Sequence, residues 1–176
     1  MRGFCMKLTE LFQFCPRCGN SKVVPSGKHS TECPSCGFEI FANSAAAVGI
    51  VIFNPQNEIL MCVRKNDPGK GLLDLPGGFV EPGETAEDAC SRELYEELNL
   101  KLNGFQYMAS YPNEYLYKGM TVFTLDLFFI FKLDNELTLH PGDDVSLIFF
   151  AKPDDIEPDK IAFESHRKII KRLREK

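Results

Sequence analysis

The stretch from Gly78 to Leu100, GFVEPGETAEDACSRELYEELNL, decides how the rest of the chain is interpreted, because its pattern predicts a capped helix. Thr85 is a suitable N-cap residue, and Asn99 suits the left-handed position that follows a helix. Two acidic residues fall in the first turn, where the helix dipole favours negative charge. The pattern therefore predicts a helix from about Ala86 to Leu98.

Three glutamates lie on one side of this predicted helix, beside its apolar stripe. At about 100° per residue, Glu93, Glu96 and Glu97 fall within an arc of roughly 100°. Like charges at these spacings repel by roughly 0.2–0.5 kcal/mol per pair, and Arg92 alone cannot balance three of them. A divalent cation can, since Mg²⁺ is typically bound by one or two carboxylates together with substrate phosphates. A metal site is one interpretation, and a solvated acidic helix face is the other.

The residues before and within the helix favour the metal site. Five residues separate Gly78 from Glu84, and seven more precede Arg92-Glu93-Leu94-Tyr95-Glu96-Glu97. This arrangement resembles the Nudix box of the Nudix hydrolases at every defined position except one. The family has glycine where this chain has Asn99, and asparagine is the next-best residue for a positive φ. With so many fixed positions, a chance match to a solvated helix face is not expected.

Length and composition are those of one medium domain with a small appendage. The chain has 176 residues, of which 44% are hydrophobic, and its 15 phenylalanines are ample for a buried core. No run approaches the ~18 apolar residues of a membrane span, and the start, MRGFCMKL, lacks the apolar region of a secretory signal. We therefore expect a cytoplasmic protein that has no membrane partner. The net charge of −5 argues against broad nucleic-acid binding.

Four of the seven cysteines, Cys15, Cys18, Cys33 and Cys36, form two CPxCG motifs. Each motif can fold as a tight knuckle, and two knuckles complete the Cys₄ shell that structural Zn²⁺ prefers. Disulfides or a redox pair are the alternatives. A four-thiolate shell leaves no open coordination position, so we interpret the zinc as structural. It would hold residues 13–41 together as a ribbon, after a flexible lead-in at residues 1–12.

Residues 42–176 alternate apolar segments with polar turns, which predicts a second domain built on a sheet. Strands are expected at Ala45–Phe53, Glu58–Arg64, Leu72–Gly78, Phe105–Tyr111, Val122–Leu133 and Val145–Phe150, with a terminal helix from Ile161 to about Lys176. The apolar run Val122–Leu133 suits a central strand. Pro112–Gly119 is expected to be an aromatic loop, where a base could stack on Tyr115 or Tyr117 unless both rings cap the core.

The two cysteine motifs followed by the box resemble the zinc-ribbon branch of the Nudix hydrolases, in particular the NADH pyrophosphatase type. The resemblance covers roughly residues 13–150. It implies an α+β fold, an α/β/α sandwich around a mixed sheet, preceded by a small zinc ribbon. It also implies a pyrophosphohydrolase that cleaves a nucleoside diphosphate linked to another moiety, with metal-assisted attack of water at phosphorus. A homodimer is a further expectation, since dimers are common among such relatives.

By position in the box, the resemblance assigns a role to each charged residue. The glutamates Glu93, Glu96 and Glu97 would bind Mg²⁺ or Mn²⁺ and include the base. Arg92 would orient these carboxylates, and Glu84 would assist through the water network around the metal.

Three residues outside the helix complete the predicted site. In some members of the family the base comes from a later loop, where this chain offers Asp143 or Asp144, although a simple turn is the alternative. Gly78 ends the Pro-Gly-Gly segment, and glycine permits a close approach that other residues would block. We therefore expect Gly78 and Asp144 to contact the substrate.

The substrate is less well defined by the sequence. NADH pyrophosphatases carry an SQPWPFPxS stretch after the box, whereas this chain has Ser110-Tyr111-Pro112-Asn113-Glu114-Tyr115 at a comparable distance. Only the serine, one proline and an aromatic residue are shared. NADH or NAD⁺, ADP-ribose, other nucleotide sugars, dinucleoside polyphosphates and a nucleotide-capped RNA end therefore remain as candidate substrates. A non-catalytic nucleotide-binding regulatory module is the alternative to an enzyme, and the intact box counts against it.

Overall fold

The fold is described from a computed structural model, in which residues 11–117, 120–135, 139, 142 and 144–175 are described. The chain divides into two compact units. One unit comprises Met1–Ser44 and Leu116–Phe123, and the other comprises Ala45–Tyr115 and Thr124–Lys176. The expected domain of residues 42–176 is thus interrupted at Leu116–Phe123, which the structure groups with the first unit. Residues 1–10, most of the expected lead-in, lie outside the described part of the chain.

The first unit contains a small antiparallel sheet and the two cysteine motifs. Its strands are β1 (Val24–Pro25), β2 (Ser30–Glu32) and β3 (Glu39–Phe41), in the order β1-β2-β3. Each motif turns sharply, since the Gly19 N–H donates to the Cys15 carbonyl and the Gly37 N–H to the Cys33 carbonyl, both at 2.8 Å. Both glycines have φ near +70°, a conformation that a side chain would strain.

A seven-stranded mixed sheet forms the second unit, apart from the strand residues within Leu116–Phe123. Its strands are β4 (Ala45–Phe53), β5 (Ile59–Arg64), β6 (Leu73–Asp74), β7 (Gly77–Phe79), β8 (Gln106–Tyr117), β9 (Met120–Lys132) and β10 (Val145–Ala151). The order is β10-β5-β4-β9-β8, with β6 paired to β5 and β7 paired to β4. Strands β4 and β9 run parallel, whereas β5 is antiparallel to both β4 and β10.

One helix covers each face of this sheet. Helix α1 (Ala86–Leu98) packs its buried Leu94 and Leu98 against one core, and helix α2 (Glu164–Arg174) packs Ile169 and Ile170 against the other. Strand β4 serves both cores because its side chains alternate between the faces: Val48, Ile50 and Ile52 face α1, and Val51 faces α2. The expected α/β/α sandwich around a mixed sheet is confirmed. In the described residues, no helix is long and apolar enough to cross a membrane.

The expected strand Leu72–Gly78 is in fact two short strands with different partners. Strand β6 pairs with β5, and β7 pairs with β4. Pro76 lies between them and cannot donate to a ladder, although its carbonyl accepts the Ile50 N–H at 2.9 Å. The break allows the segment to change partners directly before the box.

The prediction of an aromatic loop at Pro112–Gly119 is wrong over its described residues, because strand β8 continues to Tyr117. Tyr111, Tyr115 and Tyr117 are strand-forming aromatic residues on alternate positions of β8, and Pro112 is tolerated because β8 lies at the edge of the sheet. The terminal helix also begins later than expected, at Glu164. Ile161 instead forms a bridge with Leu73 after a 3₁₀ turn at Pro158–Lys160.

Candidate active site

Helix α1 has the ends that the sequence predicted. The Thr85 side chain accepts a hydrogen bond from the Asp88 N–H at 3.1 Å. Asn99 is left-handed, with φ 53° and ψ 33°, and the Leu100 N–H returns to the Leu94 carbonyl at 3.1 Å. These caps fix where the helix begins and ends, and the helical spacing of its glutamates places them on one side.

The Arg92 guanidinium gathers most of the acidic residues of the box. Its Nε and Nη2 donate to the two carboxylate oxygens of Glu84 at 2.9 and 3.1 Å. Its Nη1 donates to Glu93 at 2.8 Å and to Glu96 at 3.2 Å, and Nη2 also donates to the Phe79 carbonyl at 2.8 Å. The hydrogen bonds from Arg92 lower the pKa of Glu84, so this carboxylate stays ionised. Arg92 thereby ties the loop to the helix.

Glu97 accepts a hydrogen bond from a different donor than the glutamates that Arg92 contacts. Its Oε2 accepts the Gly77 N–H at 3.0 Å. Burial, together with the negative charges of Glu93, Asp74 and Asp144, raises the pKa of Glu97 to about 8, although the hydrogen bond from the Gly77 N–H lowers it. A carboxyl group with such a pKa can hold or release a proton near neutral pH.

The two glycines of the Pro-Gly-Gly segment are needed for these contacts. Gly77 has φ +146°, and a Cβ there would lie 2.1 Å from the Val48 carbonyl oxygen. A Cβ on Gly78 would lie 2.3 Å from Glu93 Oε1. Gly78 therefore contacts an acidic side chain of the box, and the segment brings Glu93 and Glu97 to one strand end.

A later loop approaches the end of α1, as the sequence suggested. The Gly142 N–H donates to the Glu97 carbonyl at 2.7 Å, and a Cβ on Gly142 would lie 2.5 Å from the Glu96 carbonyl oxygen. Asp144 is exposed and accepts a hydrogen bond from Asn66 Nδ2 at 2.8 Å. The structure thus brings this loop to the acidic helix, while Asp143 lies outside the described residues.

Tyr115 lies in an aromatic cluster that the sequence did not reveal. Its ring is 5.7 Å from Phe79 in an edge-on contact and 5.5 Å from Phe163, tilted by 34°. The Arg64 guanidinium lies 4.8 Å above the Phe163 ring. Sequence separation hides this cluster, because Phe163 comes from the start of α2. The side chain of Tyr117 is outside the described part.

A buried ionic group next to the site was also missed. Asp74 Oδ2 accepts from Arg64 Nη1 at 2.6 Å, and its Oδ1 accepts from the Leu75 N–H at 3.0 Å and lies against His166 Nδ1. Burial raises the pKa of Asp74, but the charges of His166 and Arg64 outweigh this effect and lower it. The available signal was an aspartate within the apolar segment LLDLPGG.

The carboxylate oxygens of the box residues do not all lie close to one another. Among the described residues, only the four cysteines bring three or more potential metal-ligating atoms within 4.8 Å of one another. In the box, Arg92 holds Glu93 and Glu96, whereas Glu97 turns toward the Gly77 N–H. The box residues therefore share one strand end without forming a compact cluster of carboxylate oxygens.

The cysteine cluster in the first unit has the dimensions of a tetrahedral metal site. The Cys15 and Cys36 sulfurs are 3.8 Å apart, and those of Cys18 and Cys33 are 3.7 Å apart. A tetrahedron with Zn–S bonds of about 2.3 Å has edges of about 3.8 Å. Burial raises the pKa of Cys15, but donation from the Cys18 and Arg17 N–H groups outweighs it and lowers the pKa to about 7. The cluster is consistent with zinc binding, and none of its cysteines is in a disulfide.

Comparisons with known proteins identify the family of this chain. The NUDIX domain family matches residues 43–173. The NAD-capped RNA hydrolase NudC of Deinococcus radiodurans is 33% identical over 132 residues, which is 72% of this chain and 47% of that protein. The ADP-ribose pyrophosphatase of Methanocaldococcus jannaschii is 35% identical over 136 residues, covering 76% of this chain and 75% of the relative. The chain thus spans about half the length of the NudC proteins it matches.

Solved structures show the same fold. A NUDIX hydrolase from Nitrosomonas europaea superimposes with a TM-score of 0.68 at 26% identity, over 93% of this chain and 91% of that one. The NUDIX domain of NrtR from Shewanella oneidensis, solved with ADP ribose, gives a TM-score of 0.63 at 20% identity, covering 81% of this chain and 92% of that domain. The family match, the relatives and the fold together place this chain in the Nudix hydrolase family.

Proposed function

We propose that this chain hydrolyses the pyrophosphate bond of a nucleoside diphosphate linked to another moiety, releasing a nucleoside monophosphate. The observation that carries the proposal is the acidic group at the Pro-Gly-Gly strand end. There, Arg92 gathers Glu84, Glu93 and Glu96, and the Gly77 N–H holds Glu97. Cleavage of a phosphoanhydride requires charge neutralisation on phosphoryl oxygens and a group that accepts a proton from water.

The residues present fit a hard divalent cation. The potential ligand atoms are all carboxylate oxygens, which such a cation prefers. Gly78 leaves a space for the Glu93 carboxylate, and a side chain at position 78 would fill that space. Glu93, Glu96 and Glu97 would hold Mg²⁺ or Mn²⁺. When bound, the cation would neutralise phosphoryl charge and favour ionisation of a nearby water.

The chain's own groups supply orientation and proton transfer. Arg92 fixes Glu84 and Glu93 through paired hydrogen bonds, which keeps the loop and the helix in one geometry. A carboxylate of this group, or Asp144 on the neighbouring loop, would accept the proton of the attacking water. Gly78, with no side chain, would let the diphosphate approach the strand end.

The cysteine cluster would hold a structural zinc ion. The S···S separations of 3.7 and 3.8 Å fit a tetrahedral Cys₄ shell, which has no open position for substrate. The first unit has few buried side chains among its described residues, chiefly Cys15, Cys33, Ser30 and Thr31. Metal binding would therefore contribute much of its folding energy.

The relatives favour an adenine-containing substrate such as ADP-ribose or NAD. An ADP-ribose pyrophosphatase matches over similar shares of both chains, whereas the NudC relatives are about twice as long as the matched region. A nucleotide-capped RNA end is the second candidate, favoured by those NudC relatives. The net charge of −5 favours the small nucleotide over an RNA body.

Tyr115, next to Phe79 and Phe163, would offer a ring surface for the base. A cytoplasmic location and a homodimer belong to the same proposal.

A substrate panel tests the proposed function. The full chain would be incubated with Mg²⁺ and NADH, NAD⁺, ADP-ribose, nucleotide sugars or dinucleoside polyphosphates, and the products resolved by chromatography. We expect AMP from the adenine-containing substrates. Tight nucleotide binding without cleavage of any member would instead support the regulatory module.

A further inference from the structure

The loop that approaches the acidic helix is in direct contact with the helix backbone. The Gly142 N–H donates to the Glu97 carbonyl at 2.7 Å. A Cβ on Gly142 would lie 2.5 Å from the Glu96 carbonyl oxygen and 2.6 Å from that of Glu97, so no side chain fits at this position. The loop therefore passes the last turn of α1 at the end where Glu96 and Glu97 lie.

Asp144, two residues further on, is held by the residues that follow strand β5. The Lys65 N–H donates to the Asp144 carbonyl at 3.0 Å. The Asn66 amide donates through Nδ2 to Asp144 Oδ1 at 2.8 Å. The next residue of the loop, Val145, pairs with Arg64 in the sheet. Both the backbone and the side chain of Asp144 are thus fixed by the same short segment.

The contacts on either side of Asp144 keep it close to the acidic helix. Two residues span at most about 7 Å, so Asp144 cannot lie far from the place where Gly142 contacts Glu97. The negative charge of Asp144 is one of those that raise the pKa of Glu97, which agrees with this proximity. A further carboxylate therefore lies beside the acidic group of the box.

Asp144 differs from the glutamates of the box in the group that contacts it. The Arg92 guanidinium donates to three of those glutamates, and a cationic donor favours the ionised form of a carboxylate, which makes it a weaker proton acceptor. The Asn66 amide is a neutral donor, and neutral donors bind a carboxylate less strongly than charged ones. It contacts Oδ1 of Asp144, so Oδ2 is the oxygen that can take up a proton.

We propose that Asn66 is a positioning residue for the hydrolysis, whose amide directs the Asp144 carboxylate so that Oδ2 accepts the proton of the attacking water. The inference rests on the proposed cleavage of a pyrophosphate bond and selects Asp144 as the base. The water oxygen forms the new bond to phosphorus, and its proton passes to Asp144 Oδ2. The bridging P–O bond breaks, and its electron pair leaves with the departing phosphate. Asn66 acts only through Asp144.

A double-mutant cycle on ADP-ribose hydrolysis with Mg²⁺ separates this role from simple support of the loop. Asn66→Ala leaves the carboxylate free to rotate and should lower kcat by roughly 10- to 100-fold, with KM within about twofold of wild type. Asp144→Ala removes the base and should lower kcat by roughly 10²–10⁴-fold. In the Asp144→Ala background, Asn66→Ala should change kcat by less than about twofold, because no carboxylate remains to be directed.

Asn135→Ala, at an exposed asparagine outside this contact, is the matched control and should keep the wild-type kcat. Wild-type turnover in Asn66→Ala or in Asp144→Ala would overturn the inference, as would a further loss of about 10-fold in the double variant. If Asn66→Ala does not fold, as judged by circular dichroism, Asn66→Asp removes the donor at nearly constant size and takes its place in the same cycle. A wild-type chain that does not cleave ADP-ribose would count against the proposed function instead.

Discussion

Gly78 provides a sharp test of how the acidic site is built, because a carboxylate lies directly against its backbone. A methyl group at this position would lie 2.3 Å from Glu93 Oε1 and 2.6 Å from the carboxyl carbon. Such contacts do not persist, so Gly78→Ala must displace the Glu93 side chain. The displaced carboxylate loses the 2.8 Å hydrogen bond from Arg92 Nη1. We therefore expect Gly78→Ala to impair hydrolysis more than folding.

The contacts of Gly78 set the size of each effect. A hydrogen bond between charged groups contributes ~1.5–3 kcal/mol, and partial solvent screening of Arg92 and Glu93 reduces this to about 1–2 kcal/mol. Gly78 lacks a positive φ, so alanine there also stabilises by about 0.4–1 kcal/mol through the unfolded chain. The net loss in free energy of unfolding is about 1 kcal/mol. Misplacing a group of the active site by about 1 Å lowers the rate on the order of 100-fold.

Urea unfolding and ADP-ribose hydrolysis, measured on the same preparations, separate the two effects. A double-mutant cycle with Glu93→Ala gives the control, because removing the carboxylate removes the clash. In that background Gly78→Ala should stabilise the fold by about 0.4–1 kcal/mol. A Gly78→Ala enzyme that hydrolyses ADP-ribose within about twofold of wild type would refute the reasoning.

Two further predictions concern the buried ionic group and the cysteine cluster. Because the folded-state pKa of Asp74 is lowered, its contribution to stability is present above the usual carboxyl pKa and disappears as pH falls through the lowered value. Asp74→Asn should therefore lower the free energy of unfolding at pH 7 by roughly 3–5 kcal/mol, and the two proteins should converge in acid; a constant difference would contradict this. The Cys33→Ser variant should contain less zinc than wild type by elemental analysis, because it lacks one of the four thiolates. The control variant Cys62→Ala, changed in the core of the second unit, should keep its zinc. Equal zinc content in both variants would reject the Cys₄ site.

The sequence predicted the parts of the site whose cause is local. Thr85 and Asn99 have side chains and conformational preferences that define the ends of α1, and the helical spacing of Glu93, Glu96 and Glu97 places them on one side. The spacing of the two CPxCG motifs likewise predicted a cysteine cluster. In both cases each separate signal, a helix cap or one CPxCG motif, lies within a few consecutive residues.

The parts that depend on long-range packing could not be predicted. The continuation of β8 to Tyr117 depends on its pairing with β9, which outweighs the turn tendency of Pro112. The contact of Asp74 with His166 joins residues that are far apart in the chain and meet only after α2 docks. No local pattern in the sequence encodes these contacts.

The most direct test of the central claim is the rate of ADP-ribose hydrolysis by Glu97→Gln in the presence of Mg²⁺, with AMP and ribose 5-phosphate measured as products. The half-buried Glu97 carboxyl and its replacement amide are similar in size, so the fold should be retained in this variant, as monitored by circular dichroism. Glu87→Gln, at an exposed position of the same helix, is the control and should retain wild-type turnover. We predict that Glu97→Gln lowers kcat by roughly 10²–10⁴-fold. Turnover at the wild-type rate would contradict the role of the acidic helix in hydrolysis.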